Sequence, residues 1–554
     1  MSTRVSNTKQ LLEAIKKENQ EIILNEGTYN LEEPLNLTGK VNLILREEGN
    51  VIISGASKLI KKGDYPNSIF VNNVRRNKSS AYKVQASAWN RCEREDFIFH
   101  NAIDQHNGNT IYEGFLTSNN ELLNENPKNM EFYFNVGWNQ NIASGLKSRI
   151  IEDKVYIGLE PSQFKLLQTK GLRVGAPTEV KNIKCALKEG TFYHDKEKSV
   201  IEYLPTELEI QNGFNILYPV LETLICVKDS KNIKFSNLSF KYTTWEYPSK
   251  NGFSEIQSTT YDDITKSSID TFSVPKAAVY VEYSEDIIFT QCKFLNLGGT
   301  GIHLSRGCKN NSILCSEFYD IAGGAVIIGN FEYTDAHPND DKDINYNTII
   351  KDNEIHDIGV LYNGACGILA GYVNTLKIFN NLLYNIAYTG ISVGWGWGRP
   401  DPCANLIFNT DVQVPYLKPT ILKNNHIKGN EIHHIMQQMH DGAGIYTLSN
   451  QDGSIIEDNY IHDNTDANDE PVTKIYVKKS YLLGVTTKWG RLSKRKGFPG
   501  GIYLDECSSG ITVRNNRIEN VAVNYYYHDT GVPGIFETNS FDVEKLENPI
   551  LSYD

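Results

Sequence analysis

Two acidic residues mark the edges of a phrase that the chain writes twice. Asp441-Gly-Ala-Gly-Ile-Tyr-Thr-Leu448 and Gly500-Gly-Ile-Tyr-Leu-Asp505-Glu506 share a glycine pair or near-pair, then Ile, Tyr and an apolar residue. Two carboxylates brought together can cleave an acetal. One protonates the leaving oxygen while the other attacks the carbon or activates water. Asp505 is the stronger candidate and Asp441 the favoured partner, with Asp463 and Glu506 as alternates. An Asp before Gly is also a common turn former, which is the plain structural role for Asp441.

Other side chains nearby could bind rather than react. Trp395 and Trp397 stand among glycines in Gly390-Ile-Ser-Val-Gly-Trp-Gly-Trp-Gly398 and could offer flat apolar faces to sugar rings. Tyr446, Tyr503 and His440 flank the two aspartates. Residues 464–499 carry Lys478, Lys479, Lys488, Trp489, Arg491, Lys494, Arg495 and Lys496, which reads either as a solvated basic loop or as a lid whose Trp489 meets substrate. His433, His434, His440 and His462 read as surface histidines, and Asp340-Asp341-Lys-Asp343 as a solvated loop rather than a calcium site. No metal and no cofactor are assigned.

A repeat positions these residues. Its template is apolar-x-x-[Asn/Cys/Ser]-x-apolar-x-x-apolar. The anchors are Phe289, Ile313, Ile350, Ile378, Ile427, Ile456 and Val513, at successive spacings of 24, 37, 28, 49, 29 and 57 residues. The shortest spacing sets the coil, and the longer ones carry insertions. Coils of this length built from short strands predict an all-β, right-handed parallel β-helix, a solenoid. Asn at the fourth position (353, 381, 430, 459, 516) predicts an amide ladder inside one turn. The helix-forming half of a leucine-rich repeat is missing.

After each anchor comes a strand opened by glycine, at Gly301, Gly324, Gly367, Gly390, Gly444 and Gly501. Strand side chains alternate between faces. Apolar second and fourth positions face inward, so Tyr446, Tyr503 and Asp505 face out while Glu506 faces in. Asn430 and Asn459 are successive anchors, so the strands carrying Asp441 and Asp505 should lie side by side, about 4.8 Å apart. Counted from the strand glycines the two aspartates are offset by seven positions, so a bend at Gly442-Ala-Gly444 is expected to bring Asp441 back. Gly371 and Gly394 are expected to leave a trough beside Asp505.

Residues 1–86 read as a short helical cap followed by the first coils, 87–205 as an inserted antiparallel, sandwich-like β-subdomain, and 206–554 as the main β-helix. Net charge of −12 gives no footprint for nucleic acid. Nine Cys without Cys-x-x-Cys argue against a disulfide framework and for scattered buried thiols. No apolar run is long enough to span a membrane. The polar N-terminus has no signal-peptide core, so a cytoplasmic location is expected. The expected partner is an oligo- or polysaccharide, and no oligomeric state is read from the sequence.

The Trp-Gly-Trp segment, Asp441–Leu448 and Gly501-Ile-Tyr-Leu-Asp-Glu-Cys-Ser-Ser509 together resemble the parallel β-helix proteins of glycoside hydrolase family 141. Gly190-Thr-Phe-Tyr-His-Asp-Lys, Ile201-Glu-Tyr-Leu-Pro205 and Phe240-Lys-Tyr-Thr-Thr-Trp245 extend that resemblance over most of the chain. It implies two catalytic aspartates, which map onto Asp441 and Asp505, and an α-L-fucosidase or xylanase activity. Cys507, where Gly is more usual, and the long 464–499 insertion are departures. Asn409-Thr-Asp411 matches one polygalacturonase motif, but no Gly-His-Gly or Arg-Ile-Lys follows. A polysaccharide lyase with a Lys or Arg base and a non-catalytic glycan-binding protein are the rival readings.

Overall fold

The computed structural model describes residues 2–84, 92–103, 110–169, 175–265, 272–402, 418–464, 472–479, 499–529, 540–541 and 550–552. The chain forms two compact units. One comprises Met1–Ser54, Thr223–Lys241 and Lys276–Asp554, the other Gly55–Glu222 and Tyr242–Pro275.

The first unit is the parallel β-helix. Each apolar anchor pairs with its successor: Phe289 with Ile313, Ile313 with Ile350, Ile350 with Ile378, Ile378 with Ile427, Ile427 with Ile456, and Ile456 with Val513. The apolar residue of the next strand forms a second column, Phe294–Phe318–Ile355–Leu383–Ile432–Ile461–Ile518. The side chains of both columns are buried inside the coil except the half-buried Ile518, and burying each contributes about 2 kcal/mol. A separate, 12-stranded sheet holds the glycine-opened strands, including Ile391–Val393, Gly442–Thr447 and Pro499–Leu504. The opening glycines are there for close approach. A Cβ on Gly444 would stand 2.7 Å from Ile461 Cγ2, and one on Gly501 2.6 Å from Ile518 Cγ2.

The amide ladder runs through Asn353, Asn381, Asn430, Asn459 and Asn516. Asn430 is fully buried. Its Oδ1 accepts from the Asn381 backbone N–H at 3.0 Å and from Asn381 Nδ2 at 2.9 Å. Its Nδ2 donates to Asn459 Oδ1 and to the Ile378 carbonyl, both at 2.9 Å. Asn430→Ala strands donors and acceptors on both neighbouring coils, so it should cost about 3 kcal/mol. Chemical denaturation of the variant beside Asn424→Ala, a turn residue outside the ladder, measures the difference.

The second unit is wider than the 87–205 segment read from the sequence. Ser68–Val71 and Val74–Lys78 pair with each other, and Val74–Lys78 also pairs with Thr191–Asp195, which draws residues from before 87 into this unit. Phe253–Gln257 pairs antiparallel with Asn139–Ile151, which draws in residues from beyond 205. Short strands of this kind look alike in either unit until their partners are known. Phe97, Phe115, Phe132, Phe134, Ile157 and Phe164 form the core. The N-terminal helical cap spans Thr8–Ala14, with the Asn7 side chain capping Gln10 N–H.

Candidate functional site

The site candidates sit where Gly442–Thr447 lies beside Pro499–Leu504. Tyr446 pairs with Tyr503, and Tyr503 in turn with Tyr526 on the following strand. The three rings pack at centroid distances of 5.0 and 4.5 Å. The strand ends at Leu504, but the Asp505 N–H continues the ladder by donating to the Thr447 carbonyl at 3.0 Å. Asp505 therefore keeps the outward direction, and the Tyr446 hydroxyl donates a short hydrogen bond to its Oδ2. Asp505 is only 6% exposed.

Asp441 stands just before the neighbouring strand in the left-handed conformation, φ +60°, and its carbonyl accepts from the Tyr388 hydroxyl at 2.8 Å. Gly442, Ala443, Ile445, Tyr446 and Thr447 pair with Pro499 through Leu504 at one constant offset, so no register break marks the bend expected at Gly442–Gly444. Burial pushes the Tyr446 phenol well above its ordinary range, and the charges of Asp505 and Asp441 push it further. Tyr503 is raised by burial and then by Asp441 and Asp505. Tyr526 is raised by the same three causes. Two carboxylates from different coils thus act on one cluster of neutral phenols, which can only donate hydrogen bonds to them.

The other candidates fall as follows. Glu506 is half-buried next to Asp505, and its carbonyl accepts from Ser449 N–H at 3.2 Å. Asp463 lies at the end of Tyr460–His462 in a different sheet, where its carboxylate holds His462 Nδ1 at 2.7 Å and Asn520 Nδ2 at 2.9 Å. His440 is half-buried beside Asp441. Trp489 and most of the basic insertion lie outside the described residues, and of that insertion's strand Val472–Lys479 only the backbone is described.

Several expectations are corrected. Trp395 is 1% exposed, packed edge-on against Phe331 at 5.0 Å and tilted against Trp397 at 5.1 Å, so it has no face for a sugar. Its carbonyl accepts from the Tyr372 and Ser449 hydroxyls. Trp397 is half-buried at φ +51° in the turn Gly396–Gly398 and keeps some surface. Tyr446 and Tyr503 are 2% and 3% exposed, so their rings are packing, and it is the Tyr446 hydroxyl that bonds the Asp505 carboxylate. Gly371 and Gly394 leave no trough. A Cβ on Gly371 would strike the Asn330 carbonyl and one on Gly394 the Leu448 carbonyl, so backbone already fills that space.

The sequence reading missed Asp401. It is 1% exposed, and its Oδ2 accepts from Asn450 N–H at 3.4 Å, next to the Ser449 turn beneath Trp395. Its only signal was a lone acid after Trp-Gly-Trp-Gly-Arg-Pro. Burial pushes its carboxyl up to about 7. A carboxyl raised on folding stabilises the fold below the unfolded carboxylate range, and that contribution is lost as pH rises through the folded value. Asp401→Asn should therefore raise the melting temperature at pH 8 by about 2–4 °C and change little at pH 4.5, as thermal melts would record.

Comparison with known proteins fits this architecture. The family model for the right handed beta helix region matches residues 251–399 and 409–551, more than half of the chain. The chain belongs to the right-handed β-helix family. No curated protein matches the sequence. A solved glycoside hydrolase is similar over 95% of this chain and 93% of its own, with a TM-score of 0.69 and 21% identity. The catalytic unit of a GH87 α-1,3-glucanase from Streptomyces thermodiastaticus is similar at a TM-score of 0.40 and 8% identity, over 99% of this chain and 67% of its own.

Proposed function

We propose that the protein is a glycoside hydrolase that cleaves a complex glycan with Asp441 and Asp505 as its carboxylate pair. The observation that carries the reading is the buried Asp505 carboxylate, held by the Tyr446 hydroxyl, on the strand paired with the one that Asp441 precedes. One carboxyl delivers a proton to the leaving oxygen. The other either attacks the anomeric carbon or activates water, according to the distance between them. The Tyr446 hydroxyl fixes the Asp505 rotamer, which keeps a reacting oxygen within the few tenths of an ångström that such chemistry requires. Trp397, which keeps part of its ring at the surface, is the aromatic residue assigned to meet a sugar ring. The shared fold of a glycoside hydrolase along nearly both full chains is in keeping with this reading. Family 141 membership and α-L-fucosidase or xylanase activity are the finer form of the proposal.

The test is a panel of aryl glycosides with xylan and pectin fragments, assayed for reducing ends and for ultraviolet-absorbing unsaturated products. Reducing ends alone, lost in Asp441→Asn and Asp505→Asn, support hydrolysis. Unsaturated products would indicate a lyase, and retained ligand without turnover a binding protein.

A further inference from the structure

Away from the tyrosine cluster, the strands of the second apolar column carry stacked rings on their outer face. His356 lies on Tyr384 at 4.7 Å and 4°, Tyr384 on His433 at 5.1 Å and 4°, and His433 on His462 at 4.9 Å and 23°. The register behind it is regular: Glu431 opposite Tyr460, Ile432 opposite Ile461, His433 opposite His462. Ile432 and Ile461 are fully buried, so Glu431, His433 and His462 all point outward from two adjacent strands. A ligand atom from each lies within 4.8 Å of the other two.

The hydrogen bonds around this trio orient it. His462 Nδ1 meets Asp463 Oδ2 at 2.7 Å, and Asp463 is itself held by Asn520. With the Nδ1 proton given to that carboxylate, Nε2 carries the lone pair, and it faces Glu431 Oε1 at 3.4 Å. Two acceptors facing each other at that distance repel unless a cation lies between them. His433 Nδ1 is engaged by His434 Nδ1 at 2.7 Å, which leaves its Nε2 for a ligand.

We propose that Glu431, His433 and His462 form a three-ligand site for a zinc-class divalent ion, with Asp463 as the carboxylate that orients His462. Two bonds of about 2.0–2.1 Å meeting at the tetrahedral angle of about 109° place their ligand atoms about 3.4 Å apart, which is the His462–Glu431 separation. Two imidazoles and one carboxylate suit Zn²⁺ rather than Ca²⁺ or Mg²⁺, which take oxygen ligands. A fourth position stays open to water. The ion would pin two adjacent coils together, and it is independent of the hydrolase reading.

The test uses the full chain without a histidine tag, stripped with chelator and titrated with Zn²⁺ by calorimetry and with Co²⁺ by visible absorption. One equivalent should bind. His433→Ala and His462→Ala should each weaken binding on the order of 100-fold or more. Asp463→Asn should weaken it about 10–100-fold with stoichiometry unchanged. His356→Ala, two rungs along the ladder, should leave it unaltered. Circular dichroism establishes that each variant is folded, and His462→Gln serves if the alanine variant is not. No uptake of either ion would mean that a proton alone bridges His462 and Glu431, and it would overturn the proposal. So would undiminished uptake in folded His433→Ala and His462 variants.

Discussion

Replacing Asp505 by Asn should lower kcat/KM by about a thousand-fold on any glycoside the wild-type protein cleaves, a loss of about 4 kcal/mol of transition-state stabilisation. The amide is nearly isosteric and keeps an acceptor for the Tyr446 hydroxyl, so folding and substrate binding should be preserved. What it loses is the negative oxygen, or the transferable proton, at the reacting centre. The loss should therefore appear in kcat with KM little changed. Asp441→Asn should behave likewise, and the double variant should be hardly worse than the poorer single one, because the two groups act as a unit. Tyr446→Phe should fall between, about 10–100-fold down, since it frees the Asp505 rotamer without removing the acid. Glu506→Gln and Asp463→Asn are the controls. Glu506 contributes a carbonyl to the Ser449 turn, and Asp463 belongs to another sheet. A thousand-fold loss in either control, with Asp505→Asn active, would move the site.

The second large effect is on stability, in the other unit. Glu131→Gln should cost about 3–5 kcal/mol, enough to unfold much of that unit at moderate temperature. Glu131 is 1% exposed and accepts from Lys78 Nζ at 2.7 Å and from Lys196 Nζ at 3.0 Å. Lys78 also donates to Asn67 Oδ1 and Ser249 Oγ. Burial alone would raise the Glu131 carboxyl, but Lys196 and Lys78 outweigh it and hold it well below the usual carboxylate range. Burial pulls Lys78 down to about 8 against the opposing pull of Glu131. Removing the anion leaves two ammonium groups buried with no counter-charge, which costs more than the pair ever contributed. The same carboxyl sets an acid limit. Its folded value is depressed, so its stabilisation is present above the unfolded value of 4.5 and is lost as pH falls below it. Denaturant titrations across that range should show the wild type weakening on acidification and Glu131→Gln weak throughout.

Much of the β-helix was legible because each coil repeats the same physical demand. An apolar residue every coil must meet its counterpart, and the anchors Phe289 through Val513 do so one for one. The Asn ladder was legible for the same reason, since a buried amide can be satisfied only by its copy above and below. The coil's neighbours across the sheet followed directly, and so did the pairing of Tyr446 with Tyr503 and the outward direction of Asp505.

What failed depends on contacts distant in sequence. Alternation says which way a side chain points, not whether a loop lies over it, so Trp395 reads as a platform and is packed against Phe331. Glycine reads as open space, but at Gly371 and Gly394 it marks backbone lying where a Cβ would be. The boundaries of the second unit turn on pairings such as Asn141 with Ser254, which no local pattern announces. Asp401 has a meaning only through its burial. The histidines read as outward-facing surface residues and are so, but their stacking as a set depends on which coils lie side by side.

The most direct test of the central claim is a crystal structure of Asp505→Asn with an oligosaccharide that the wild-type protein cleaves. The scissile glycosidic oxygen or its anomeric carbon should lie within hydrogen-bonding or attacking distance of the side chains at 441 and 505, with a sugar ring against Trp397. An oligosaccharide bound productively elsewhere, with its scissile bond beyond the reach of both side chains, would contradict it.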